Sequence, residues 1–327
     1  MKLTIFQERL PLPVEGYGGT ERVSQAHFIG QCELNVHEVT LVCRSESTIS
    51  HPNGNVIKLD ENILQDLRKG KRKVKDYIPD GDVILVQFPE STDPMDLTDT
   101  NYTRVSVCNG DVGEASGSKY QVFVSQGQKA AHEMMRSDYS ENKFVVHNGI
   151  LPNDFDLVKE RKEIVWFSSL DGRKGHHLIP YISETVGDIK VAGSHGQFHH
   201  PNVYWYGELK TEKEKSVFLS DAEVYIHTAQ TPHFNEPFGL TLVEAQFCGV
   251  PVVCLNSGGV SEVVFDTDYV FTNVNDLIKC LQDKPYLKHE PQAIRRWSIS
   301  KFNHTALAER YNKIFYEVLM NENKHNI

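Results

Sequence analysis

No apolar run in this 327-residue chain approaches the ~18 residues that a bilayer-crossing helix needs. The N-terminus has no signal-peptide pattern, so a cytoplasmic protein is expected. Cysteine is sparse: six residues, at 32, 43, 108, 248, 254 and 280, with no CxxC pair. This spacing suits neither a disulfide framework nor a zinc site, and the six read as reduced core residues. Positive charge is also short. Lys and Arg number 34 against 44 Asp and Glu, a formal charge of −10 that argues against non-specific nucleic-acid binding by the whole chain. A Walker A pattern is missing, and Gly16-x-Gly-Gly-Thr stops short of the full GxGxxG fingerprint. Histidines 176, 177, 195, 199 and 200 fit neither HExxH nor a zinc finger and read as loop residues. No metal is expected.

Short β-branched runs alternating with helical segments are what the chain does have. Strands are expected at Leu3–Phe6, Glu38–Val42, Val56–Leu59, Asp82–Gln87, Arg104–Val107, Gln121–Val124 and Lys143–Val146. Helices lie between them at Thr20–Gln31, Glu61–Asp76 and Gln128–Arg136. Residues 147–155 are rich in turn formers, and a second series then begins. Its strands are Ile164–Phe167, Ile189–Ala192, Val203–Trp205, Val224–His227, Val252–Cys254 and Tyr269–Phe271. Its helices are His177–Val186, Glu212–Leu219, Leu240–Cys248 and Val274–Gln282. After Pro291 the chain reads as helical to about Met320, with a fraying tail at Asn321–Ile327. Near-continuous apolar strands joined by helices indicate parallel sheets covered on both faces. The fold class is α/β, with two doubly wound Rossmann-like domains, 1–150 and 151–302.

One stretch concentrates the chemistry: Phe234-Asn235-Glu236-Pro237-Phe238-Gly239-Leu240-Thr241-Leu242-Val243-Glu244-Ala245. Gly239 lets a ligand approach the backbone, and the first amides of the helix that follows have no internal partner, which makes a phosphate site. Glu244, one turn in, borders the stripe Leu240, Val243 and Phe247 and can offer both oxygens to a vicinal diol such as a ribose. Glu236, on the loop, reaches a different part of the ligand. The layout suits a sugar-nucleotide; an amphipathic helix with solvated acids is the plainer reading.

Glu236-Pro237-Phe238-Gly239…Glu244-Ala245, followed by Cys248-Gly249-Val250-Pro251-Val252-Val253, resembles the signature of retaining, GT-B-fold glycosyltransferases of family 4 (glycosyl transferases group 1). Gly16-Tyr17-Gly18-Gly19-Thr20-Glu21-Arg22-Val23, His147-Asn148-Gly149-Ile150, Asp171-Gly172-Arg173-Lys174-Gly175 and Gly258-Gly259…Glu262 occur in the family's order across nearly the whole chain. The resemblance implies an acceptor-binding first domain and a second domain that binds a nucleoside-diphosphate sugar, facing across a cleft. A C-terminal helix, 303–320, would pack back on the first domain. It also implies donor contacts from Glu244 to the ribose and from Glu236 to the transferred sugar. The cradle of Phe238, Gly239, Leu240 and Thr241 would hold sugar and phosphates, Lys174 would neutralise the diphosphate, and Gly18 and Gly19 would approach it from the first domain. Tyr206 lies where the family seats the base; a core tyrosine is the other reading. Catalysis would rest on Glu236, Lys174 and Asp111, with the nucleotide sugar as substrate and no cofactor. Two departures stand out. Ser169 replaces an Arg common five residues before the Lys-Gly pair; Arg173, a donor-binding candidate adjacent to Lys174, is the nearest substitute, but a neighbouring residue on a loop points elsewhere. Cys108-Asn109-Gly110-Asp111 stands where many members carry a His.

Asn109 and Asp111 end the fifth strand, where Asp111 can bind a sugar or acceptor hydroxyl; a plain turn is the alternative. Arg68-Lys69-Gly70-Lys71-Arg72-Lys73-Val74-Lys75 holds six positive charges in eight residues. It reads either as a solvated face or as a dock for an anionic acceptor, such as phospholipid headgroups or a nucleic-acid backbone. Expected functions are therefore transfer of a hexose or pentose to a saccharide or lipid-linked saccharide, transfer to a hydroxyl on a modified nucleic-acid base, or sugar-nucleotide binding with little transfer.

Overall fold

The computed structural model describes residues 1–88, 95–110, 118–135, 142–230 and 234–325. It divides into two compact units: Met1–Val14, Gly18–Ile150 and Asn303–Ile327 form the first, and Glu15–Tyr17 with Leu151–Phe302 the second.

In the first unit, β1 (Lys2–Phe6), α1 (Gly19–Leu34), β2 (Glu38–Arg44), β3 (Gly54–Leu59), α2 (Glu61–Arg68), β4 (Val83–Val86), β5 (Thr103–Cys108), β6 (Tyr120–Phe123), α3 (Gln126–Met135) and β7 (Asn142–Val145) follow in order. The seven strands form one sheet, β3-β2-β1-β4-β5-β6-β7, and every pairing is parallel. Strand β4, Val-Ile-Leu-Val, is buried at every position, as a central strand covered on both faces must be. On one face Phe6, Val42, Ile84 and Val86 pack with Leu64 and Leu67 of α2.

The helix expected over Glu61–Asp76 ends at Arg68. Gly70 takes φ +65°, a left-handed turn that stops the helix, and a 3₁₀ turn follows at Val74–Asp76. Arg136, expected to end the third helix, lies outside the described residues. At the other end of the chain the tail does not fray where expected. The C-terminal helix runs His304–His325, and Glu322 Oε1 accepts bonds from Lys119 Nζ (2.8 Å) and the Tyr120 hydroxyl (2.7 Å). This helix packs on α1 at very short range. A Cβ on Gly30 would lie 2.2 Å from the His304 carbonyl oxygen, so only glycine allows the contact. Beside it the buried His27 ring packs 4.3 Å from that of Tyr311, and burial lowers its pKa to about 3.

The second unit contains β8 (Glu163–Ser169), α4 (Leu178–Val186), β9 (Ile189–Ser194), β10 (Val203–Gly207), α5 (Glu212–Leu219), β11 (Ala222–His227), α6 (Leu240–Phe247), β12 (Val252–Leu255), α7 (Val260–Val263), β13 (Val270–Phe271), α8 (Val274–Asp283) and α9 (Pro291–Phe302). Its sheet is again parallel, in the order β10-β9-β8-β11-β12-β13. Trp166, Ile179, Ile182, Val191, Val224, Ile226, Val253 and Leu277 form its core. All six cysteines are buried free thiols. Among the described residues no helix is long and apolar enough to cross a membrane.

Candidate active site

The second unit changes strand direction of growth between β8 and β11, and ligands in such sheets sit beyond the carboxyl ends of the strands there. Three segments meet at that point. A 3₁₀ turn, Gly172–Lys174, follows β8; His227 ends β11 and Thr228 follows it; and the loop from Phe234 leads into α6. Lys174 Nζ lies 2.5 Å from Glu236 Oε2, although 62 residues separate them. The ammonium also sits 4.5 Å from the Phe234 ring centroid, a cation–π contact that orients it.

Both sides of this pair are pinned from behind. Thr228 Oγ1 donates to the Lys174 carbonyl (2.9 Å) and itself accepts from Trp166 Nε1 (3.0 Å). The Glu236 amide donates to Ser257 Oγ (2.9 Å), and the Glu236 carbonyl accepts from the Gly259 amide (2.9 Å). Gly258, at φ +50°, passes so close that a Cβ would lie 2.3 Å from the Glu236 oxygen. The glycine pair after β12 is therefore a support for the glutamate. Lys174 and Glu236 are held as a unit.

Glu236 is buried, which by itself would raise its pKa. The Lys174 ammonium outweighs burial and holds the carboxyl below its ordinary value. His227 Nε2 lies 3.7 Å from Glu236 Oε2 and has no hydrogen-bond partner among the described residues; burial lowers its pKa to about 4. It is neutral at pH 7.

The α6 N-terminus is bare. Gly239, its N-cap at φ +85°, supplies no capping side chain; the Leu242 amide donates to the Gly239 carbonyl (3.0 Å), which leaves the amides of Leu240 and Thr241 for a ligand. Glu244, one turn in, is 2% exposed and does not have both oxygens to offer. Lys215 Nζ of α5 takes Oε1 at 2.5 Å, and Lys215 is itself buried. The motif alone did not reveal this partner, since Lys215 looks like any helix lysine. Charge balance is its physical reason: a carboxylate this deep needs a cation.

The other expected residues divide clearly. Phe238 is buried, while Leu240 and Thr241 are partly exposed, Thr241 Oγ1 lying 2.8 Å from the Tyr225 hydroxyl. Arg173 is exposed and bonded to Asp171 (3.1 Å), so it does not take up Ser169's position; Ser169 Oγ instead meets His195 Nδ1 (3.3 Å). Tyr206 is 51% exposed and is not a core residue. Gly18 and Gly19 open α1 in the first unit. Asn109 follows β5 there, and Asp111 lies outside the described residues. Sequence reasoning missed His227, Thr228, Ser257 and Lys215, none of which belongs to a recognisable motif.

The basic run is largely paired with carboxylates of the first unit, mostly at the surface. Arg68 is buried against Glu8, Arg72 pairs with Asp66 (3.1 Å), and Lys73 and Lys75 share Asp99 (2.9 and 3.5 Å). Three carboxylates thus offset half of the six charges, and the field a polyanion would meet is weaker than the sequence suggests.

Two doubly wound parallel units in one chain, with a bare helix N-terminus between two buried glutamates, define a GT-B-type fold. Residues 198–282 match the family model for glycosyl transferases group 1, a stretch that includes Glu236, Gly239 and Glu244. Over that stretch the chain resembles the group, and the fold of the whole chain is of the GT-B type. It is 32% identical over 127 residues to a D-inositol 3-phosphate glycosyltransferase of Paenarthrobacter aurescens, covering 38% of this chain and 26% of that protein. The chain spans less than half the length of the curated relatives it matches. Its fold is similar to AviGT4, a glycosyltransferase involved in avilamycin A biosynthesis (TM-score 0.72, 20% identity, 98% of each chain). It is also similar to HepE of Anabaena in complex with UDP and glucose (TM-score 0.65, 13% identity, 97% of this chain and 100% of that one).

The two buried histidines set an acid limit. Each stays neutral in the fold but takes a proton in the unfolded chain below its ordinary value of 6.5. Between pH 6.5 and about 4 the unfolded state thus binds more protons, and stability is lost as pH falls. Each histidine contributes at most about 1.4 kcal/mol per pH unit within that window. Denaturant midpoints measured at pH 7, 6 and 5 are expected to fall progressively, and a flat profile would contradict the burial of both rings.

Proposed function

We propose that this protein is a retaining, metal-independent glycosyltransferase of family 4, moving a sugar from a nucleoside-diphosphate donor to a hydroxyl of a saccharide or lipid-linked saccharide. The observation that carries the reading is the pair of partly buried Lys174 and buried Glu236 beside the bare amides of α6, with Glu244 one turn further on. A diphosphate at those amides meets the positive end of the helix, about half a unit charge, and a full charge from Lys174. As the bond from the anomeric carbon to the phosphate oxygen breaks, both act on the charge that develops there, which is the kind of contact that raises rate. The acceptor oxygen forms its bond on the same face, and its proton passes to the departing phosphate. Glu236 receives hydroxyls of the transferred sugar, and the remaining oxygen of Glu244 receives a ribose hydroxyl.

Calorimetry of the full chain against UDP, GDP, ADP and CDP tests the donor half. HepE was crystallised with UDP, which makes it the first nucleotide to try. One of the four is expected to bind at a single site, and its sugar conjugate is expected to undergo transfer or slow hydrolysis. Binding by none would remove the proposal; binding without either reaction would leave a sugar-nucleotide-binding protein.

A further inference from the structure

One buried titratable group beside the Lys174–Glu236 pair has no part in the chemistry above. His227 is the last residue of β11 and is 2% exposed, and its Nε2 has no hydrogen-bond partner among the described residues. Buried polar atoms are nearly always satisfied, so this orphan needs a cause. Packing is a poor one. Val224 and Ile226 of the same strand are ordinary core residues, and an apolar side chain at 227 would have avoided the penalty.

The orphan nitrogen faces a carboxylate. Nε2 lies 3.7 Å from Glu236 Oε2, the same oxygen that Lys174 Nζ holds at 2.5 Å. A carboxylate only accepts, so the arrangement calls for the proton on Nε2 and a lone pair on Nδ1. The Tyr225 hydroxyl lies 3.4 Å from that Nδ1. It also meets Thr241 Oγ1 in the first turn of α6 (2.8 Å) and the Phe167 carbonyl (3.2 Å), contacts that hold it against the ring. Burial keeps the imidazole neutral, so it brings a donor to Glu236 without a second charge.

A second donor has a use there. Lys174 carries one positive charge, and beside a bound diphosphate that charge answers to phosphate oxygens as well as to Glu236. The buried carboxylate is then short of compensation. A shift of about 0.7 Å would bring His227 Nε2 to the ordinary hydrogen-bond distance from Oε2. Both donors address Oε2, which leaves Oε1 for a ligand hydroxyl.

We propose that His227 is a positioning residue for Glu236. Its Nε2–H takes up Oε2 as a diphosphate draws on the Lys174 charge, and the carboxylate stays set for the transferred sugar. The proposal rests on the functional reading above.

Nitrogen-15 NMR of the full chain labelled at histidine reads the tautomer with no ligand present, and His227→Gln assigns the signal. Nε2–H is expected, and Nδ1–H would overturn the proposal. Turnover is then followed as hydrolysis of UDP-glucose, or of the glucose conjugate of whichever nucleotide calorimetry selects. His227→Leu is expected to lower it about ten- to a hundredfold, the worth of a hydrogen bond to a charged group. Nucleotide affinity should stay within about twofold, and the melting temperature should be equal or higher. His227→Gln carries its amide to the Nε2 position and is expected to recover most of the turnover. His227→Asn stops at the Nδ1 position and is not. Wild-type turnover in His227→Leu, equal losses in the Gln and Asn variants, or a joint fall in melting temperature and nucleotide affinity would each overturn the proposal. Should none of UDP, GDP, ADP and CDP bind, the donor reading falls, and the tautomer alone decides whether His227 serves Glu236.

Discussion

Lys174→Ala is expected to lower turnover by about two to three orders of magnitude while changing nucleoside-diphosphate affinity only a few-fold. The ammonium is held 2.5 Å from Glu236 and over the Phe234 ring, so its position is set before any ligand arrives. A preset charge acts most strongly where charge grows during the reaction, and least on a diphosphate already carrying its full charge. The substitution has a structural cost as well. Glu236 is left buried without its cation, a loss of about 3–5 kcal/mol when one partner of a buried pair is removed, relieved in part if the carboxyl takes a proton. Glu236→Gln separates the two effects, because the amide keeps the shape and removes the charge. It is expected to reduce turnover on its own, and the double variant should lose much less than the sum of the singles. Steady-state kinetics on the four proteins measure this. Additive losses would mean that Lys174 and Glu236 act independently, and an unchanged turnover number in Lys174→Ala would contradict the proposed role.

Glu244→Ala is expected to act in the opposite sense. Nucleoside-diphosphate affinity should fall about ten- to a hundredfold, with turnover at saturating donor nearly kept, because a ribose contact is equal in ground and transition states. Stability is expected to fall too. Lys215 Nζ lies 2.5 Å from Glu244 with both side chains buried, so truncation strands an ammonium in the interior and costs about 3–5 kcal/mol. Glu244→Gln keeps an oxygen for Lys215 and is the better probe of binding, and Lys215→Met tests whether the lysine positions the glutamate. Calorimetry with the preferred nucleotide and a denaturant midpoint for each variant decide the matter. Wild-type affinity in both Glu244 variants would place the ribose elsewhere.

How the chain divides these tasks between local and distant contacts is visible in particular residues. The alternation of strands and helices could be read directly, because buried parallel strands are short apolar runs and the covering helices carry their own period. Helix α5 was legible end to end, since Thr211 and Glu214 form a capping box that depends only on neighbours in sequence. The helix over residues 61–76 was not, because the left-handed turn at Gly70 overrides a charge pattern that would otherwise continue it. The tail after Met320 looked loose until Lys119 and Tyr120, some 200 positions earlier, supplied its anchor at Glu322.

The same boundary runs through the candidate site. Amino-acid order alone determined the two parallel sheets and the bare helix start at Gly239, because strand, turn and cap are decided within a few residues. Only the tertiary structure decided that Lys174 pairs with Glu236, that Lys215 occupies half of Glu244, and that Arg68 of the basic run is buried against Glu8. The physical reason is that burying a charge requires an opposite charge close by in space, and chain folding brings the partner from anywhere in the sequence.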